Sequence, residues 1–235
     1  MLQPPTTLRF YFSFRSPYSW LAFHRAQLAA ERGGLAIEYI PVFPPPDFPN
    51  DPARVPAKLA YIRHDVERLA RAYGVSVKLP EELDCEWVKP HAAFLYALDQ
   101  GCGPQFASVA YAARFSRGEA LGDDAVIARC AAECGLDTAA VVAAQCEQAL
   151  QERVVLGMIR GVQEDGLFGV PLFVWQGERF WGNDRVEWLL RRIDESRGAS
   201  VPDLASSPLH PVHNTPAATG DAPLSAAGAS RRPHA

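Results

Sequence analysis

The run Ser16-Pro17-Tyr18-Ser19 stands where an aromatic, alternating stretch, FYFSFR, gives way to a helical pattern. Pro17 suits the first helical position, which makes Ser16 the N-cap. A serine cap needs no further role than the about 1 kcal/mol it lends a helix, and spacing alone puts that reading first. The same geometry suits an anion. A helix N-terminus offers unpaired N–H groups and a partial positive charge, and a thiolate held there has a lowered pKa.

A second proline bears on the first. Val170-Pro171, in GLFGVPLFVW, follows a glycine-flanked turn and opens a strand. It admits two readings: a trans proline starting an edge strand, or a cis bond. In the cis form the Val170 N–H and C=O face outward and can pair with an extended peptide ligand. The cysteines offer less. Cys85, Cys102, Cys130, Cys134 and Cys146 are odd in number, and no two have C-x-x-C spacing. Cys130 and Cys134 share a helix face. Small apolar fillers are the favoured reading over a redox or metal pair, since no His or second Cys pair lies nearby to complete a zinc site.

The elements that must position these residues follow from periodicity. Residues 8–14 (LRFYFSF) read as a strand, 17–32 as a helix ended by Gly33-Gly34, and 35–43 (LAIEYIPVF) as a second strand. Together they make a βαβ unit with a right-handed crossover. Residues 44–56 (PPPDFPNDPARVP) read as a long ordered loop, and a helical pattern runs from Ala57 to Gly74. Further helices fall in KPHAAFLYALDQ, PQFASVAYAARFSRG, DDAVIARCAAEC, DTAAVVAAQCEQAL and ERVVLGMIRGVQEDG. PLFVW then returns to strand, QGE reads as a hairpin turn, RFWG as a partner strand, and NDRVEWLLRRI as a closing helix with Asn183 or Asp184 near its N-cap. The order is β-α-β, a helical insert, then β-β-α. Residues 1–45 and 164–196 form one discontinuous domain on this reading, 46–163 the loop and insertion, and 197–235 a disordered tail without periodicity, its His210 and His213 included.

Bulk properties bound the function. The chain has 235 residues, 48% of them hydrophobic and 21% charged, with net charge −4, so most of it is expected to be globular. That charge gives no general attraction to nucleic acid or an anionic membrane. No apolar run approaches the ~20 residues of a spanning helix, and the first residues lack the basic and apolar regions of a signal peptide. A cytoplasmic protein is expected.

The β-α-β, insert, β-β-α order resembles the thioredoxin-like arrangement of the DsbA-related disulfide oxidoreductases, so the expected fold class is α/β with a thioredoxin-like core and an all-helical insertion. In that group a Cys-x-x-Cys occupies the strand-to-helix junction. Serines stand there here, which argues against thiol-disulfide exchange. The segments FYFSFRSPYSWLA, VPAKLAYIRHDVERLARAYGV, FGVPLFVW and FWGNDRVEWL instead resemble the 2-hydroxychromene-2-carboxylate isomerases and the related kappa-class glutathione transferases. WGNDR is more similar to the isomerase branch.

The resemblance implies a glutathione site. Ser16 would donate a hydrogen bond to the glutathione sulfur and favour its thiolate. The backbone of Val170, before Pro171, would pair with the cysteinyl unit. Asp184 would face the γ-glutamyl ammonium, and Asn183 with helix-end N–H groups its carboxylate. Lys58 would meet the glycyl carboxylate or an anionic substrate, and Asn50 matches a family Asn near the tripeptide. Tyr18, Tyr61, Trp87 and Phe14 would wall an aromatic substrate pocket. Arg15 and Arg160 could assist an anion. Each residue has a plainer reading: Asp184 as an N-cap, Lys58 as a solvated helix residue, Asn50 as a turn former, the aromatics as core, Arg15 and Arg160 as solvated surface.

The implied reaction is a glutathione-dependent cis-trans isomerisation linking 2-hydroxychromene-2-carboxylate-type acids to ring-opened hydroxybenzylidenepyruvates in aromatic catabolism. Relatives imply a homodimer. The alternatives are kappa-like conjugation or peroxide reduction at the same site, and a non-catalytic thioredoxin-like module binding a peptide along the Val170 edge.

Overall fold

A computed structural model of the chain describes residues 7–44, 51, 54–81 and 85–199. Its elements are β1 (Thr7–Phe12), α1 (Pro17–Gly33), β2 (Ala36–Pro41), α2 (Pro56–Ala72), α3 (Val88–Asp99), α4 (Gly103–Phe115), α5 (Asp124–Glu133), α6 (Thr138–Ala144), α7 (Gln148–Asp165), β3 (Leu172–Trp175), β4 (Glu178–Trp181), a 3-10 turn at Asn183–Arg185, and α8 (Val186–Ser196). Four strands form one sheet in the order β2-β1-β3-β4. β2 runs parallel to β1, while β3 and β4 are antiparallel to their neighbours. This is the expected α/β thioredoxin-like core carrying a helical insertion.

Alternation along the strands builds two apolar faces. Leu8, Phe10 and Phe12 of β1, with Phe173 and Trp175 of β3, enter the main core beside α1, α8 and the insertion helices. Phe10 stacks on Phe173 at 4.7 Å between ring centroids, and Phe12 meets Phe94 of α3 edge-on at 5.0 Å. Tyr11, Leu172 and Val174 point the other way, to Met158 and Leu167. α7 lies against that face closely enough that a methyl group on Gly161 would fall 2.7 Å from the Tyr11 ring, so the position takes only glycine.

Local chemistry explains most boundaries. α1 opens on Ser16 and Pro17 and ends at Gly34, whose left-handed φ of 54° frees its N–H to close on Ala30 and Glu31. QGE is a hairpin turn, with Gln176 and Gly177 both at positive φ as a two-residue turn demands.

Four differences from the sequence reading have tertiary causes. β1 ends at Phe12, because Ser13 and Phe14 turn away to partners on α1 and α3. DTAAVVAAQCEQAL is not one helix. Gln145 breaks it by donating to Asp124 Oδ1 at 2.8 Å, while Gln151 of α7 caps the Gln145 carbonyl at 2.7 Å. Asn183 and Asp184 do not cap α8 but form the 3-10 turn before it. Ordered contacts also run past Ser196, where the tail was expected to start: Arg197 donates to the Arg32 and Gly33 carbonyls at the end of α1. The rest of that stretch, from residue 200, lies outside the described residues.

Candidate active site

Strand register brings the separated motifs to one end of the sheet. β1 pairs with β3 antiparallel through Tyr11↔Leu172, so the turn leaving β1 toward Ser16 lies beside the segment entering β3 at Val170-Pro171. β3 pairs with β4 through Leu172↔Trp181, and the Gly182 N–H donates to the Pro171 carbonyl at 2.9 Å. Asn183 and Asp184 therefore join the same end. β2 runs parallel to β1 and ends there too, with Val42 N–H on the Phe12 carbonyl at 2.8 Å, and α2 is the next helix along the chain.

Ser16 caps α1. Its hydroxyl accepts the Ser19 N–H at 3.1 Å, which leaves the hydroxyl proton for another acceptor. Ser19 is fully buried, and its hydroxyl accepts from the Ser13 N–H at 3.4 Å. The serine at the second redox position is thus part of the scaffold. The turn is held from beneath by the insertion. Tyr111 donates to the Ser13 carbonyl at 3.1 Å, and His91 Nε2 accepts the Phe14 N–H at 3.0 Å. Burial takes the His91 imidazole down to about 3, so it is neutral and an acceptor at that nitrogen. No comparable thiol is present: all five cysteines are free and lie between Cys85 and Cys146. Burial pushes the Cys130 thiol up to about 12 and Cys134 up to about 11, so both are inert.

The Val170-Pro171 peptide bond is cis. Val170 is half-buried, and among the described residues no strand register or loop hydrogen bond engages its backbone. Gly182 adopts φ 109°, and a side chain there would meet the Asp184 carboxylate at 2.5 Å, so the turn requires glycine. Asp184 is exposed beside Arg185 at 2.7 Å. Asn183 is buried with a partner at each end of its amide: Oδ1 accepts from Arg25 at 2.9 Å, and Nδ2 donates to the Tyr73 hydroxyl at 3.0 Å.

α2 supplies the third side. Lys58, Tyr61 and Asp65 follow at helical steps of three and four residues, with Lys58 and Tyr61 exposed. Tyr18 donates to Asp65 at 2.9 Å. Burial first, then that hydrogen bond, the Asp65 charge and the nearby Tyr61 and Asp184, raise the Tyr18 hydroxyl pKa and keep it protonated. One set of couplings thus joins residues of α1, α2 and the Asp184 turn.

Other candidates fall elsewhere. Trp87 and Phe14 are buried in the main core, with the Arg114 guanidinium 4.5 Å above the Trp87 ring and Phe14 stacked on His91 at 5.3 Å. Arg15 and Arg160 are not bare solvated cations: Arg15 pairs with Asp51 at 2.8 Å, and Arg160 bridges Glu38 and Glu164 away from the Ser16 end. Asn50 lies outside the described residues. Sequence reasoning missed Asp65, Arg25 and His91. Only Asp65 carried a signal, its helical spacing from Lys58 and Tyr61.

Known proteins resemble this chain in sequence and fold. Residues 7–194 match the DSBA-like thioredoxin domain family. A 2-hydroxychromene-2-carboxylate isomerase of Sphingobium xenophagum is 31% identical over 190 residues, spanning 78% of this chain and 95% of its own. A solved 2-hydroxychromene-2-carboxylate isomerase superposes with a TM-score of 0.69 at 25% identity, covering 83% of this chain and all of the other. The cytosolic disulfide reductase DsbM of Pseudomonas aeruginosa, solved with GSH, shares the fold at a TM-score of 0.58 and 18% identity, over 82% of this chain and 96% of its own. Family model, fold and relatives agree: the chain belongs to the 2-hydroxychromene-2-carboxylate isomerase family of DsbA-like thioredoxin-domain proteins.

Proposed function

We propose that the protein is a glutathione-dependent cis-trans isomerase of 2-hydroxychromene-2-carboxylate-type acids and their ring-opened hydroxybenzylidenepyruvates. The observation that carries this reading is a thioredoxin-type site without a thiol. Ser16 and Ser19 occupy the junction, and every cysteine lies in or next to the insertion. A nucleophile for such a site comes from outside; the isomerase relatives support the reaction, and the GSH-bound structural neighbour supports glutathione as the source of the thiol.

Ser16 then donates its free hydroxyl proton to the glutathione sulfur, and the α1 N-terminus favours the thiolate. The Val170 backbone pairs with the cysteinyl unit. Asp184 faces the γ-glutamyl ammonium, and Lys58, exposed on the first turn of α2, faces a carboxylate of the tripeptide or the substrate. The cyclic hemiketal opens to the conjugated keto acid as its ring C–O bond breaks and the hydroxyl proton passes to the phenol oxygen, and three moves then change the alkene geometry. The sulfur forms a bond to the conjugated carbon, and the π electrons pass to the carbonyl as an enolate. Rotation occurs about what is now a single bond. The enolate collapses, the carbon–sulfur bond breaks, and glutathione leaves unchanged. Tyr18 in the first turn of α1 and the exposed Tyr61 of α2 offer aromatic faces to an aromatic acid.

The test is cofactor dependence. Interconversion of the chromene acid and its open isomer, followed by absorbance, is expected to need glutathione and to fall at least about a hundredfold in Ser16→Ala, the usual scale for losing one charge-stabilising donor. A rate indifferent to glutathione would refute the proposal. Turnover of a chlorinated aromatic electrophile instead of the chromene acid would move it to transferase chemistry.

A further inference from the structure

Arg25 makes no approach to Ser16 through sequence, yet it sits where the three site-bearing elements meet. It lies on α1, nine residues after Ser16. Its Nη1 donates to the Asn183 carbonyl at 2.8 Å, to Asn183 Oδ1 at 2.9 Å and to the Tyr73 hydroxyl at 2.9 Å. Its Nη2 pairs with Glu187 in the first turn of α8. Tyr73 is the C-cap of α2, and its hydroxyl also accepts from Asn183 Nδ2 at 3.0 Å. The Arg25 guanidinium lies 5.1 Å from the Tyr73 ring centroid, adding a cation–π contact.

We infer that Arg25, Asn183 and Tyr73 form a positioning clasp that sets the distance between the Ser16 end of α1 and the Asp184 turn. The inference rests on the glutathione reading above and revises one part of it. Asn183 is only 3% exposed, and both ends of its amide already have partners in the clasp, so little of it is open to a ligand. The contact with the γ-glutamyl end falls to Asp184 and the backbone of its turn, and Asn183 acts by holding that turn in place. A planar fork is needed to reach Asn183, Tyr73 and Glu187 at once, which a lysine cannot reproduce. The three residues touch neither the sulfur nor the reacting carbon, so they are positioning residues.

This separates binding from sulfur activation. Tyr73→Phe removes one hydroxyl from the clasp, and Arg25→Lys keeps the charge but loses the fork. Both are expected to weaken reduced glutathione binding by calorimetry about tenfold, the equivalent of one or two hydrogen bonds, while the melting temperature falls by only a few degrees, about what losing those bonds costs the fold. The pKa of the bound thiol, followed by thiolate absorbance against pH, is expected to stay at the parent value, since Ser16 and the α1 N-terminus are intact. In turnover the effect appears in KM for glutathione rather than in kcat. Parent protein that binds glutathione, with both variants binding equally well, would overturn the clasp alone. Weakened binding with an equally large shift of the thiol pKa would overturn it too, by showing that Ser16 had moved. Parent protein that does not bind glutathione would sink the cofactor reading and the clasp with it.

Discussion

The two walls of the site are built from different physics. The Ser16 wall rests on buried, neutral groups. Ser19, Tyr111 and His91 hold the Ser13–Ser16 turn with hydrogen bonds in a dry, aromatic interior. The Asp184 wall rests on charge at the surface. Arg25 with Glu187, and Asp184 with Arg185, are ion pairs whose acidic partners are mostly exposed. A sulfur needs an atom held at one place, whereas a flexible tripeptide end needs a counter-charge that tolerates adjustment. The contrast implies that the first wall fails through stability and the second through affinity.

Breaking the buried wall gives the largest effect on stability. His91→Ala strands the Phe14 N–H and leaves a hole beneath its ring, and is expected to cost about 3 kcal/mol in denaturant unfolding. A loss under 1 kcal/mol would mean the turn does not depend on the insertion.

Acid attacks the same residue. Burial lowers the His91 pKa to about 3, against 6.5 for a free imidazole. The unfolded chain therefore binds the extra proton between those values, so stability is full above pH 6.5 and falls as pH drops through that window. At pH 5.5 the loss is roughly 1 kcal/mol. His91→Gln retains an acceptor for the Phe14 N–H but cannot titrate, and should flatten this part of the profile. A profile as steep as the parent's would assign the acid sensitivity to other groups.

The charged wall should respond differently. Asp184→Asn removes the proposed counter-charge while leaving the fold, and is expected to weaken glutathione about tenfold. The parent's affinity should also fall with added salt, and the variant's should fall less. An equal salt dependence would place the ammonium elsewhere. The smallest effect is expected at the seam between walls. Tyr18→Phe loses the hydrogen bond to Asp65, worth about 1 kcal/mol, and should lower the melting temperature by about 3 °C.

How much of this was legible in sequence differs by wall as well. Ser16 and Pro17 announce the cap through their own chemistry, and the cis Val170-Pro171 bond fits one of the two readings its glycine-flanked setting allowed. The strand order then follows from β-α-β and β-β-α, so the convergence at one end of the sheet was implicit in the topology. The supports were not. His91 stands 77 residues from the backbone N–H it accepts, and Arg25 stands 158 from Asn183. Each looks like an ordinary helix residue until the chain folds. Asn183 shows the cost of this: its type suits both a helix cap and a ligand contact, and only the partners on α1 and α2 reveal a structural amide. Trp87 and Phe14 misled similarly, since aromatic side chains near a site look alike in sequence whether they line it or pack beneath it.

The central claim is that Ser16 prepares the thiol of a borrowed glutathione. Thiolate absorbance of glutathione bound to the parent protein and to Ser16→Ala, titrated across pH, tests it most directly. The bound thiol is expected to ionise well below the ~8.5 of a free cysteine in the parent and at least about one pH unit higher in the variant. Bound thiols that titrate alike in the two proteins would contradict it.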